Sequence, residues 1–256
     1  MGVIESVSKG FAVTKKSFGL ILLLFVFSAI FNVLNVFLSP TTTPGEVSSV
    51  PPSPAMVVVG IVFIFLTIYF QAGSMTYVRD SVKSGSAALP NFFSGGKYYI
   101  KLFLLGLVVA AVIGVSVLLA AVVAGFLGSI SPFLGVPFTI LVAAFGLYLI
   151  VMLFLSPYAV VVDEKGVRAA LKTSMKLVKK NILALLGITL LMVAIGFAVG
   201  MVLGAILAGI SAILKAKMAT QITFAVLSSL VNAVLGVLVT AAFTVFYLSL
   251  PERNNI

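Results

Sequence analysis

Six long apolar stretches divide the chain, at 18–38, 55–75, 100–127, 133–155, 182–210 and 222–250. Each reaches the roughly 20 residues that carry a helix across the hydrocarbon core. Backbone inside a bilayer must satisfy its own hydrogen bonds, so helices are the expected form, and the longer stretches would tilt or project. Polar residues collect between the stretches. Basic residues crowd 9–16, 79–101 and 165–180, whereas 39–54 is an irregular segment rich in Pro, Ser and Thr. The pattern predicts an all-α, polytopic membrane protein. Its six transmembrane helices form three hairpins, with basic amphipathic helices on the cytoplasmic side.

The hairpins repeat. Stretches one, three and five begin near Phe18, Ile100 and Ile182, 82 residues apart both times, and the exits at Met75 and Pro157 keep the same interval. Lys15, Lys97 and Lys179 fall at equivalent places, as do Phe11, Phe93 and Met175. Lys15-Lys16-Ser17-Phe18 also matches Lys179-Lys180-Asn181-Ile182. These matches predict a single membrane domain over 1–256, built of units at about 1–78, 79–160 and 161–256. Two spans per unit make the units parallel, related by a pseudo-threefold axis along the membrane normal. The third hairpin is longer, with the extra length near 211–221.

Composition sharpens this picture. The chain is 62% apolar and 9% charged, against about 25% charged in a soluble domain. It has neither Cys nor His, which removes disulfides, thiol nucleophiles, imidazole catalysis and zinc sites with sulfur or imidazole ligands. The net charge is +10. Fourteen of the sixteen Lys and Arg residues fall on one side of the spans, with Lys215 and Lys217 on the other. The positive-inside rule then puts both termini in the cytoplasm of a multi-pass protein of the plasma membrane. The first stretch is longer than a signal-peptide core and no small-x-small cleavage site follows it, so it is read as a span.

Residues 163–180 form the best-defined polar element. Asp163 is the expected N-cap, with Glu164 at the positive end of the helix. Val167, Leu171, Met175 and Val178 make an apolar stripe, and Arg168, Lys172, Lys176 and Lys179 make a basic one, with Lys180 a further candidate headgroup- or partner-binding residue. Such a helix should lie in the interface with its cations toward headgroups. It serves either as a topology anchor or as a docking site for lipid headgroups or a protein partner.

No stretch holds a charge away from its ends, whereas ion-coupled transporters and proton relays use ionisable groups at depth. The polar groups there include Asn32, Asn35, Gln71 and Asn232. They imply interhelical hydrogen bonds or, as the sharper alternative, a narrow polar pathway. Gly196, Gly200 and Gly204 are spaced for close helix packing within the bundle or in a homo-oligomer, as are Ala110/Gly114 and Ala121/Gly125.

The carboxylates sit in loops and ends, no Ser has a Gly-x-Ser-x-Gly context, and Gly96-Lys97 does not complete a phosphate-binding loop. No catalysis, metal or cofactor is expected. The expected partners are membrane lipids, a membrane or cytoplasmic protein and a second copy of the chain, with no nucleic acid.

Ser156-Pro157-Tyr158-Ala159-Val160-Val161-Val162-Asp163-Glu164-Lys165-Gly166-Val167, followed by Ala170-Leu171-Lys172-Thr173-Ser174, resembles a group of uncharacterised prokaryotic six-helix membrane proteins. These are similar to the membrane domain fused to some glycerophosphodiester phosphodiesterases. Tyr77-Val78-Arg79-Asp80 through Gly85 and Leu89-Pro90 looks like the earlier connection of that group. The resemblance implies a fold and a location, with no catalytic residues to carry over. The expected function is a non-catalytic scaffold or accessory protein that engages headgroups or a partner through 163–180. The alternative is a facilitative transporter or lipid-moving protein with a pathway along the pseudo-threefold axis.

Overall fold

The computed structural model describes residues 2–38, 54–213 and 217–250. The Pro-rich segment 39–53, the connection 214–216 and the residues after 250 lie outside the described residues. Residues 214–216 are the part of the expected extra length of the third hairpin, near 211–221, that lies outside.

The described residues form helices and no strand. In chain order these are α1 (Val3–Lys16), α2 (Phe18–Leu38), α3 (Pro54–Ser84), α4 (Leu89–Phe93), a 3-10 turn (Ser94–Tyr98), α5 (Tyr99–Ile130), α6 (Pro132–Leu153), α7 (Ser156–Val162), α8 (Val167–Ile213) and α9 (Lys217–Ser249). Six helical segments are long and apolar enough to cross a membrane: Phe18–Leu38, Pro54–Ser84, Leu89–Ile130, Gly135–Val162, Val167–Ile210 and Met218–Ser249. The protein is a multi-pass membrane protein. Each of the six expected spans is present. The helices of the second and fifth run well beyond the apolar stretch at their basic ends, and α4 with the 3-10 turn leads into the third, because polar residues can continue a helix once hydropathy has stopped marking it.

The joints between elements are local devices. Ser17 interrupts the helix between α1 and α2 at φ −97°, ψ 34°, and its hydroxyl donates to the Val13 carbonyl at 2.8 Å. Asn181 breaks α8 at φ −125°, ψ 25°, and its amide donates to the Leu177 carbonyl at 3.0 Å. In both places a short polar side chain takes a carbonyl four residues back, which competes with the regular helical bond. Between α5 and α6, Ser131 is extended ahead of Pro132, as the residue before a proline prefers.

The chain divides into two compact units, Met1–Gly96 with Leu186–Phe246, and Lys97–Leu185 with Tyr247–Ile256. In the first, the spans contribute little to the interior. Only 6% of the most apolar window of α2, and of α3, is buried, as expected where lipid supplies the apolar surroundings. Its core gathers toward the basic ends of the helices, where Leu20, Tyr77, Val78, Phe92, Val237 and Ala241 pack together. Phe92 fills the space left by Gly73, where a Cβ would stand 2.6 Å from its ring.

In the second unit, α5 and α6 pack as a hairpin. A Cβ on Gly135 would come within 2.8 Å of the Gly128 Cα, and one on Gly146 within 2.6 Å of the Ser116 hydroxyl. The close approach therefore occurs at these positions and not at Gly114 or Gly125, where a Cβ would meet nothing within 4 Å among the described residues. A small-xxx-small pattern marks where a helix can be approached closely, but it does not say which face a neighbour chooses. Helix α7 is buried almost all round, at Ser156 and from Tyr158 through Val162. Its three valines are poor helix formers, and tertiary packing keeps them helical.

Candidate functional site

Helix α8 starts at Val167, not at Asp163. Gly166 precedes it, and its carbonyl accepts the first helical bond from the Ala170 N–H at 2.8 Å. The expected N-cap role of Asp163 is thus corrected. Asp163 instead ends α7, and its carboxylate accepts from the Tyr247 hydroxyl at 2.6 Å. Glu164 adopts φ +56°, the left-handed region that L residues avoid. Its carboxylate receives Lys97 Nζ at 3.0 Å and the Tyr98 hydroxyl. Lys165 N–H reaches back to the Ala159 carbonyl at 3.2 Å and its ammonium donates to the Thr173 hydroxyl at 2.9 Å. The pair of carboxylates is a strapped turn, and each has a partner.

The turn sets the orientation of the first part of α8. The buried residues there are Ala170, Thr173, Ser174, Leu177 and Val178. The expected apolar stripe of Val167, Leu171, Met175 and Val178, placed toward the interface, is not the side that packs on the protein. Only Val178 is buried, and Met175 is exposed. The side that packs on the protein has a serine at its centre. The Ser174 hydroxyl donates to the Met152 carbonyl at 2.7 Å and accepts from the Leu155 N–H at 3.1 Å. Both are backbone groups near the end of α6 that lack regular helical partners, and burying them unpaired would be costly.

With that face fixed, Arg168, Lys172, Lys176, Lys179 and Lys180 are exposed. Arg168, Lys172, Lys176 and Lys179 make no hydrogen bond or ion pair among the described residues. They recur at helical spacing, so their charge is concentrated along one side of the segment.

The other candidate residues lie in the spans. Asn32 Nδ2 donates to Ser229 Oγ at 2.8 Å, joining α2 to α9. Asn35, Gln71 and Asn232 are exposed, and no bond joins any two of the four amides among the described residues. Gly196, Gly200 and Gly204 face open space; a Cβ on any of them would meet nothing within 4 Å among the described residues. Two apolar clefts open on the spans. One, of about 320 Å³, lies between Ala198, Val202, Ile206 and Val231, and one of about 330 Å³ lies around Gly128, Gly135 and Ile140. Among the described residues no three His, Cys, Asp or Glu side chains gather as a metal site would need.

A family described as a domain of unknown function, DUF7847, matches residues 1–250. The chain belongs to the DUF7847 family. The match takes in all six spans and the strapped turn. It does not connect DUF7847 to glycerophosphodiester phosphodiesterases, so that kinship rests on the resemblance of residues 77–90 and 156–174 alone. No curated protein and no solved structure matches the chain.

Three functional-site residues carried no signal that sequence reasoning used. Ser174 interrupts an apolar face, Tyr247 lies 84 residues from the carboxylate it binds, and Tyr98 pairs with a turn 66 residues away. A serine at a position that helical periodicity assigns to the interior was the one readable clue.

Proposed function

We propose that this membrane protein is a non-catalytic scaffold or accessory factor that engages anionic lipid headgroups, or a partner presenting the same charge, through the basic side of α8. The observation that carries this reading is the docked serine. Ser174 holds the opposite side of the helix against Met152 and Leu155, while Arg168, Lys172, Lys176 and Lys179 stay exposed without an internal carboxylate. Juxtamembrane cations gain on the order of 1 kcal/mol each beside an anionic leaflet, so four in register supply a useful attraction that salt would weaken.

In this reading the basic ends of the spans, with both termini, lie in the cytoplasm, and the membrane is the plasma membrane. The chain is built of three units whose joints fall at Ser17, Tyr98 and Asn181. Departures from helical backbone at Ser17 and Asn181, and the 3-10 turn that ends at Tyr98, support that repeat. The alternative, a pathway for a solute or lipid, has less behind it. Asn32 is already used by Ser229, and the clefts on the spans are lined almost wholly by apolar side chains.

The test replaces Arg168, Lys172 and Lys176 together with Gln, purifies the protein in mild detergent and measures the anionic phospholipid and any protein retained. Loss of either, with the fold intact by circular dichroism, supports the reading and tells lipid from protein. Unchanged retention of both rejects it.

A further inference from the structure

Helix α1 has no part in the reading above. Its inner face is made of short side chains: Ser6, Val7, Gly10 and Thr14 are buried. The two hydroxyls are satisfied within the helix, by the Gly2 carbonyl at 3.3 Å and the Gly10 carbonyl at 2.8 Å. Gly10 lies against α9 so closely that a Cβ would meet the Ala242 Cα and N at 2.9 Å. A Cβ on Gly187 of α8 would sit 3.5 Å from a Val3 methyl. Ala242 is seven residues short of the end of α9 and Gly187 is six past the joint at Asn181. At 1.5 Å per residue the two contacts lie about 10 Å in from the Ser249 end of α9 and from the Asn181 joint of α8. A helix that touches two spans at that level lies beside them, near one end of their apolar stretches.

The outer face of α1 suits that depth. Ile4 and Phe11, seven residues apart, are 78% and 42% exposed, and Phe18 at the start of α2 is 72% exposed. Along α2, Leu22, Val26, Ile30 and Phe37 are exposed as well. Lys15 and Lys16 occupy the last turn of α1 and make no bond among the described residues. Lys15 stands one turn beyond Phe11 on the same face and Lys16 beside it, so the apolar pair ends in lysines whose long side chains can reach back to the headgroup level, as in a helix lying in the membrane plane. Exposed apolar residues recur at the equivalent positions Phe93 and Met175.

We propose that α1 is an in-plane membrane helix. Ile4 and Phe11 enter the boundary between headgroups and acyl chains, and Lys15 and Lys16 hold the phosphates of anionic lipids. The proposal uses none of the α8 cations, so its outcome and that of the α8 test are independent.

The chain has no Trp, so Phe11→Trp introduces a single emitter at an exposed site. The full protein would be reconstituted in vesicles of phosphatidylcholine and phosphatidylglycerol, with lipids brominated near the headgroup end of the acyl chain, and challenged with iodide. Blue-shifted emission, quenched by the brominated lipids and shielded from iodide, is the expected result, with Ile4→Trp behaving alike. Quenching by iodide and not by lipid would overturn the proposal. Protection from both would overturn it too, by showing that protein covers this face. In the Phe11→Trp background, Lys15→Gln with Lys16→Gln should shift the emission to the red when phosphatidylglycerol is present. No shift would reject the phosphate contact.

Discussion

Two connections, 77–93 in the first unit and 158–174 in the second, meet the same task by different means. Each leaves a helix through a buried tyrosine (Tyr77 or Tyr158), carries a carboxylate (Asp80 or Asp163), turns through one residue at positive φ and enters a further helix. In the first, the turning residue is Gly85 at φ +79°, which has no Cβ to clash. Asp80 is bridged locally, by Arg79 Nε at 2.8 Å and Asn91 Nδ2 at 2.9 Å. The connection then closes on an aromatic plug, with Phe92 against Gly73 and its ring 5.4 Å from that of Phe70.

In the second, the turning residue is Glu164 at φ +56°. It tolerates that backbone while its carboxylate is held by Lys97 and Tyr98. No aromatic plug follows; Ser174 pins the next helix through two backbone bonds. One connection is closed by apolar volume and local bonds, the other by long-range polar bonds. Only the second leaves a helix with a free row of cations.

The largest effect expected from this contrast is at the plug. Phe92→Ala should lower stability by about 3–5 kcal/mol, the usual cost of removing a buried phenylalanine, measured by unfolding in mixed detergent–SDS micelles. Ser174→Ala should cost less, about 1–3 kcal/mol, because it strands two buried backbone groups while removing little volume. It should also raise amide exchange in 167–180 more than elsewhere. If Ser174→Ala cost as much as Phe92→Ala, the distinction between plug and pin would fail.

The smallest effects concern the turns. Gly85→Ala should cost about 1 kcal/mol, from placing a Cβ in the left-handed region. At 164 the same comparison runs between two variants, with Glu164→Ala about 1 kcal/mol less stable than Glu164→Gly. The strap itself is half exposed, so Glu164→Gly should stay within about 1 kcal/mol of the unaltered protein. A Glu164→Ala variant as stable as Glu164→Gly would mean that the backbone does not hold positive φ there.

The six spans were legible because crossing a membrane imposes a length and an apolarity that any neighbour arrangement must respect. The cations of 168–180 were legible for a related reason, since charge is excluded from the hydrocarbon and must lie at the ends. The buried face of α8 was not legible. Ser174 and Thr173 are polar by composition and interior by circumstance, and only the unpaired backbone groups at Met152 and Leu155 explain them. The same holds for glycines. Gly196, Gly200 and Gly204 carry the more suggestive spacing yet touch nothing described, whereas Gly10 and Gly73, with no motif around them, are pressed against Ala242 and Phe92.

What the amino-acid sequence determined alone is therefore the solvent of each segment: which stretches belong in lipid and which ends carry charge. Hydropathy and charge act on each residue separately, so they can be read without knowing its neighbours. What only the tertiary structure decided is which side of each helix meets the protein, and hence which cations of α8 and which apolar side chains of α1 remain outside. That choice depends on hydrogen bonds and close contacts between residues far apart in the chain, such as Tyr247 with Asp163 and Gly10 with Ala242.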